Sequence, residues 1–143
     1  MKLQKLFVAV CAAAAALLFV ACDSPEKAVA TYTEAMIERD AEKLASVLYF
    51  DKDRRESKKD KKQSDAEWAH DFLDKGRGGQ AKVEARKNIK IIGSMINGTK
   101  ATVVVGYIPE AWEDMGMPGF MEYGIFTCEK DEGKWKVFEE KGL

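Results

Sequence analysis

The chain has 143 residues, with 23 basic and 24 acidic side chains, one histidine and a formal charge of −1. That length suits a single hydrophobic core rather than two. A charge balance this even leaves no basic footprint for a nucleic-acid partner.

The first 21 residues read as a leader. Lys2 and Lys5 precede an uncharged run of 16 residues from Leu6 to Ala21, shorter than the roughly 20 apolar residues a spanning helix needs. A basic start and a small-residue end give it the layout of an export signal. Its close, Leu18-Phe19-Val20-Ala21-Cys22, resembles the lipobox of bacterial lipoproteins. The resemblance implies a lipid on the Cys22 sulfur, cleavage between Ala21 and Cys22, and an acylated new amino terminus. Residues 1–21 are then the signal peptide and 22–143 the single mature domain, held to a membrane by several acyl chains where one would be marginal. In enteric-type bacteria, Asp23 directly after the lipidated cysteine resembles an inner-membrane retention signal. The expected address is the cell envelope, at the inner membrane facing the periplasm, with the outer membrane as the alternative. Losing Lys2 and Lys5 leaves 21 basic against 24 acidic residues, a charge of about −3. Cys11 goes with the leader and Cys22 with the lipid, so Cys128 is the one thiol of the body. In an apolar run it reads as a small buried hydrophobe.

Ser24-Pro25 is an N-cap followed by a first-turn proline, and Ala28, Val29, Tyr32, Ala35 and Met36 recur at helical spacing. This predicts a first helix to about Glu38. Asp40 caps a second with the stripe Leu44, Val47 and Leu48. Residues Lys52 to Lys62 carry seven basic and three acidic side chains and no apolar one. They cannot pack as a core helix and read as a solvated loop, whose alternative use is attraction to anionic lipid headgroups. Ser64 and Glu67 form a capping box for a third helix with Trp68, Ala69, Phe72 and Leu73, stopped by Gly76.

From Lys82 the period becomes two. Ile89 and Ile91, then Ala101, Val103, Val105 and Tyr107, then Met121, Tyr123 and Ile125, then Trp135 and Val137 mark strands. Asn97-Gly98 and Asp131-Glu132-Gly133 supply hairpin turns. The predicted class is α+β, with three N-terminal helices packed on one face of a curved antiparallel sheet of about four strands, whose open end forms a pocket.

That order resembles the nuclear transport factor 2-like fold, the cystatin-like cone, and in particular small bacterial lipoproteins that carry such a domain without known activity. The resemblance spans about residues 24 to 140. It rests on Ser24-Pro25-Glu26-Lys27-Ala28-Val29, on Glu38-Arg39-Asp40-Ala41-Glu42-Lys43-Leu44, on the hairpin Asn97-Gly98-Thr99-Lys100-Ala101-Thr102-Val103, and on Gly133-Lys134-Trp135-Lys136-Val137. It implies a cone that hosts unrelated functions and sometimes sheet-to-sheet homodimers.

Cone-fold enzymes of the isomerase or dehydratase kind place polar groups inside the pocket. Tyr32, Tyr107 and Glu122 are the residues whose positions allow that here, but tyrosines at strand parity usually serve packing. His70 lies off its helix stripe beside Asp71 and Asp74. Zinc needs three or four ligands, and one imidazole with one body thiol do not supply them, so no metal is expected. Met115, Met117 and Met121 are spaced for a soft metal, although methionine equally fills gaps in a core. The connection from Pro109 to Gly119 is long and carries Trp112, Met115 and Met117 among Glu110, Glu113 and Asp114. Such loops form lids or partner contacts, and Trp112 equally suits a plug at the cone mouth. Asn97-Gly98-Thr99 matches a glycosylation acceptor, but the turn accounts for it.

The function expected from these residues is a membrane-anchored envelope protein whose domain binds a small ligand or a protein through Trp112, Met115, Met117, Tyr32 and Tyr107. It needs no catalysis and no cofactor. The alternatives are a cone-fold enzyme and a homodimeric interaction module.

Overall fold

The first helix, α1 (Pro25–Glu38), begins where Ser24 accepts a hydrogen bond from the Lys27 N–H at 3.2 Å, with Pro25 in the first turn. It buries Ala28, Val29, Tyr32, Ala35 and Met36 as their spacing requires. It stops at Arg39, whose left-handed φ of 56° lets the Arg39 N–H reach Ala35 O. A non-glycine residue in that region is strained. The Arg39 guanidinium holds it there, donating to Asp74 at 3.0 Å and to Leu73 O at 3.4 Å. This computed structural model describes residues 23–75, 89–107 and 122–142.

Asp40 caps α2 (Ala41–Val47), which buries Leu44. Leu48 then pairs with Val137 in a parallel bridge, and the Tyr49 N–H donates to Val137 O at 2.8 Å. The segment expected to be a solvated loop is a helix, α3 (Lys52–Asp60), capped by Asp51 and burying no residue. Side-chain donors hold it in place of an apolar face. Arg54 donates to Tyr49 O at 2.6 Å and Phe138 O at 2.9 Å, and Arg55 donates to Phe50 O at 2.6 Å. Lys58 pairs with Asp65, the first residue of α4 (Asp65–Asp74). The capping box of Ser64 and Glu67 starts α4, as its sequence predicts. Trp68 stacks on Phe72 at 5.4 Å and meets the edge of Phe50 at 5.5 Å.

Four strands follow in the order β1 (Lys90–Asn97), β2 (Lys100–Tyr107), β3 (Glu122–Asp131) and β4 (Lys134–Lys141), each antiparallel to the next. The β1–β2 loop is Gly98-Thr99 with Gly98 at φ 61°. The β3–β4 loop is Glu132-Gly133 with φ values of 50° and 79°. Both strands of positive-φ turns match the sheet's right-handed twist. Ile92 is an extra residue in β1, opposite the step from Val105 to Val104, and Phe138 is extra in β4.

The inner face of the sheet is Ala101, Val103 and Val105, Phe126 and Cys128, and Trp135 and Val137, all buried against α1 and α2. Two expectations are corrected here. Four helices, not three, precede the sheet among the described residues, because α3 is stabilised by arginines and not by a stripe. The layer between helices and sheet is filled by Val29, Tyr32, Leu44, Leu48 and Phe126 and does not open as a cone. Phe126 and Cys128 face inward, whereas Tyr123 and Ile125 are exposed.

Candidate functional site

Among the described helices it is α1 that touches β1, through the bond from Ser94 to Glu26, and it covers little of the strand. All eight residues of this edge strand are exposed, and the apolar ones occupy both faces. Register with β2 places Ile91, Ser94 and Ile96 on the inner face, opposite Val105, Val103 and Ala101, and Met95 on the outer face. Their exposures are 39% for Ile91, 53% for Ile92, 71% for Met95 and 56% for Ile96. A soluble sheet usually blunts such an edge with charge, proline or a bulge. Here Lys90 and the bulge at Ile92 are the two such devices.

Between α1 and the first half of β1 lies a groove of about 270 Å³, floored by Val29, Ala30, Thr33, Ile37, Ile89 and Ile91. Glu34 and Glu38 form its rim. Both are engaged by Lys43, at 3.0 and 2.9 Å, and those two bonds raise the Lys43 pKa. Thr33 directs its hydroxyl to Val29 O at 2.8 Å, which leaves its methyl for the groove. The groove is therefore apolar within and charged at its lip, the make-up of a recognition site. Sequence periodicity marks Ile89 and Ile91 as core. Only the position of α1, set by long-range packing, shows that Ile89 is partly buried against the core whereas Ile91 stays exposed.

Tyr107 and Tyr32 do not converge. Tyr32 is buried in the core with its ring edge-on to Phe126 at 5.7 Å. Tyr107, also buried, donates its hydroxyl to Glu122 at 2.5 Å across the β2–β3 pair. Burial first, and that bond second, push the Tyr107 phenol up to about 12. A phenol so held is a closed hydrogen-bonded pair, not a ready proton donor at neutral pH. Cys128 is buried with its thiol pushed up to about 12, by burial and then by the Glu26 carboxylate, and is correspondingly unreactive. His70 is exposed and paired with Asp74 at 3.1 Å. Among the described residues no group of three metal-ligating side chains occurs. Cys22, Trp112, Met115 and Met117 lie outside the described residues.

Residue 23, next to the proposed lipid site, meets the sheet. The Asp23 carboxylate accepts from the Trp135 N–H at 3.3 and 3.4 Å, tying the chain before α1 to the start of β4. The basic α3 is less available than its composition suggests. Arg54 and Arg55 are committed to carbonyls, Lys58 to Asp65, and Lys52 lies 3.8 Å from Glu56.

No protein-family model matches the chain. No curated protein matches it either. The solution structure of a SEC-C motif containing protein from Rhodopseudomonas palustris is similar at 15% identity, over 77% of this chain and 71% of that one, with a TM-score of 0.38. The resemblance to lipoproteins carrying a nuclear transport factor 2-like domain is corrected by the fold itself, in which four described helices precede the sheet and the layer between them is filled; the segments behind the resemblance are caps and hairpins common to many folds. No described helix is long and apolar enough to cross a membrane.

Proposed function

We propose that this protein is an exported, lipid-anchored module of the bacterial envelope that binds a protein segment along the first half of β1 and performs no catalysis. The anchor rests on the leader, with Lys2, Lys5, the uncharged run to Ala21, and Cys22 as the lipid site. The binding role rests on one observation, the uncovered β1 beside an apolar groove.

An edge strand offers a row of backbone donors and acceptors, and an extended segment laid along it adds a strand to the sheet. Alternate side chains of that segment would face the groove between α1 and β1. Ile91 and Ile92 provide apolar contact on the two sides of the edge. The fitting partner is an extended segment with apolar residues at every second position.

A photo-crosslinking side chain at Ile92 in intact cells tests this, with the same group at Lys59 on α3 as the control. A protein adduct formed at Ile92, absent at Lys59 and lost on Ile91→Glu, supports strand addition. An adduct with a second copy of this chain would make the partner a homodimer. Equal labelling at both positions, or none at Ile92, refutes the site.

A further inference from the structure

We infer that the Asn97–Lys100 hairpin, with Met95 and Ile96 beside it, is the part of this domain that dips into the bilayer interface. The inference rests on the lipid-anchor reading above and deepens it, because the structure fixes which end of the domain the anchor holds.

Residue 22 is one peptide bond from Asp23, so their Cα atoms are about 3.8 Å apart. Asp23 is fastened to the Trp135 N–H, one residue from the β3–β4 turn. Both hairpin turns lie at this end of the sheet, since Asn97 pairs with Lys100, Lys100 with Glu129, and Glu129 with Lys136. The Lys130 N–H also donates to Thr99 O at 2.8 Å, binding the two turns together. With neighbouring strands about 4.8 Å apart, β1 lies roughly 14 Å from β4. An anchor at residue 22 therefore holds the hairpin end of the sheet against the membrane. The groove, lined by the second half of α1, lies toward the opposite end.

Met95 and Ile96 are exposed on opposite faces of the same strand end. Ile96 has inner-face parity, yet it is exposed and no described helix covers it. The first turn of α1 meets β1 at the bond from Ser94 to Glu26, two residues farther from the tip, and the helix layer begins there. A docked protein covers one face of a strand. A bilayer interface covers both faces of a strand end set into it, and this favours lipid as the occupant.

Electrostatics add little. Lys27, Lys100, Lys130, Lys134 and Lys136 at this end are matched by Asp23, Glu26, Glu129, Asp131 and Glu132. Exposed Lys27, Lys100, Lys130 and Lys134 have stems long enough to lie along apolar surface with the ammonium at headgroup level. Contact should therefore depend on the apolar tip and only weakly on salt or anionic lipid.

The test uses the full-length protein processed in cells and reconstituted in vesicles, first of neutral and then of partly anionic phospholipid. A polarity-sensitive fluorophore is attached through Thr99→Cys at the tip, or through Lys90→Cys at the far end of the same strand. Mass spectrometry of residue 22 is read first: no acyl chain there overturns the anchor reading itself. With the anchor confirmed, a blue-shifted Thr99 label quenched severalfold more by lipid-borne than by aqueous quencher, and a Lys90 label showing the reverse, is the expected result. Met95→Glu with Ile96→Glu should return the Thr99 label to water while acylation is unchanged. An acylated protein whose Thr99 label is as water-exposed as Lys90, in both lipids, overturns the inference and leaves the anchor standing.

Discussion

Arg54 provides the sharpest test of how α3 is held. The helix buries no residue, so burial of apolar area cannot account for its position. Its attachment depends on the Arg54 guanidinium, which donates to Tyr49 O and Phe138 O and lies 5.9 Å from the Trp68 ring and 5.7 Å from the Phe138 ring. Hydrogen bonds from a charged donor contribute roughly 1.5–3 kcal/mol each, and exposed cation–π contacts about 0.5–1. Arg54 is half-buried, so the lower figures apply, and Arg54→Ala should destabilise the fold by about 4 kcal/mol. In a domain of this size that lowers the thermal midpoint by roughly 10 °C. Urea unfolding followed by far-ultraviolet circular dichroism measures it. Arg54→Met keeps much of the stem, so the difference between the variants isolates the two hydrogen bonds. Because the acceptors are carbonyls and not carboxylates, high salt should leave the loss nearly unchanged. A loss below about 0.5 kcal/mol for Arg54→Ala, the level of an ordinary surface substitution, would show that α3 is held by something other than Arg54.

Three further outcomes are expected. Leu44, fully buried at the α2 contact, should cost about 2–5 kcal/mol on Leu44→Ala, read by urea unfolding; a smaller loss would mean that the site collapses around the deletion. Cys128 should resist alkylation at pH 8 in the folded protein and react once urea unfolds it, since its thiol lies at about 12; rapid modification of the native chain would contradict its burial. Glu26 is held below the ordinary carboxylate value chiefly by the bond from Ser94, and Glu67 by its bonds within the capping box. Both titrate lower in the folded chain than unfolded, so their stabilisation is complete above about pH 4.5 and lost as pH falls through the folded values. Ser94→Ala should flatten part of that acid dependence in a pH series of unfolding midpoints, and an unchanged slope would show that the Glu26 bond does not form in solution.

What could be read from sequence was local. The start of α1 at Ser24-Pro25, the capping box of Ser64 and Glu67, and the turn positions Gly98 and Gly133 are fixed by residues within a few positions of each other, and such signals survive any tertiary arrangement. The Lys52–Asp60 helix was not legible, because its stability comes from carbonyls of Tyr49, Phe50 and Phe138 that no periodicity reveals. The parity of β3 is not legible in its own residues for a related reason. Tyr123 and Ile125 alternate as apolar residues, but so do Phe126 and Cys128 on the other face. Pairing to β2 decides between them, placing Phe126 opposite Val103. The groove shares this difficulty, since Ile89 and Ile91 share one strand pattern, yet Ile89 packs against the core and Ile91 is left exposed beside α1.

The bulge at Ile92 joins these features. Between Ile91 and Gly93 the register of β1 shifts against β2, so the strand is not one continuous edge. A bulge increases local twist and interrupts the ladder that a long partner strand would need. Two short half-edges remain. Ile91 borders the groove beside α1, whereas Gly93 to Asn97 run to the hairpin at the end of the sheet where Asp23 meets β4. A strand of eight exposed residues without such an interruption would favour edge-to-edge self-association. With it, under the lipid-anchored orientation proposed above, each half-edge would meet a different environment, and the half farther from the anchor would stay clear of lipid. Filling the step should therefore harm both uses at once: deleting Ile92 removes the extra residue, extends a regular edge, and is expected to increase concentration-dependent self-association in light scattering. An Ile92 deletion that stays as monodisperse as the parent protein would show that the bulge does not protect this edge.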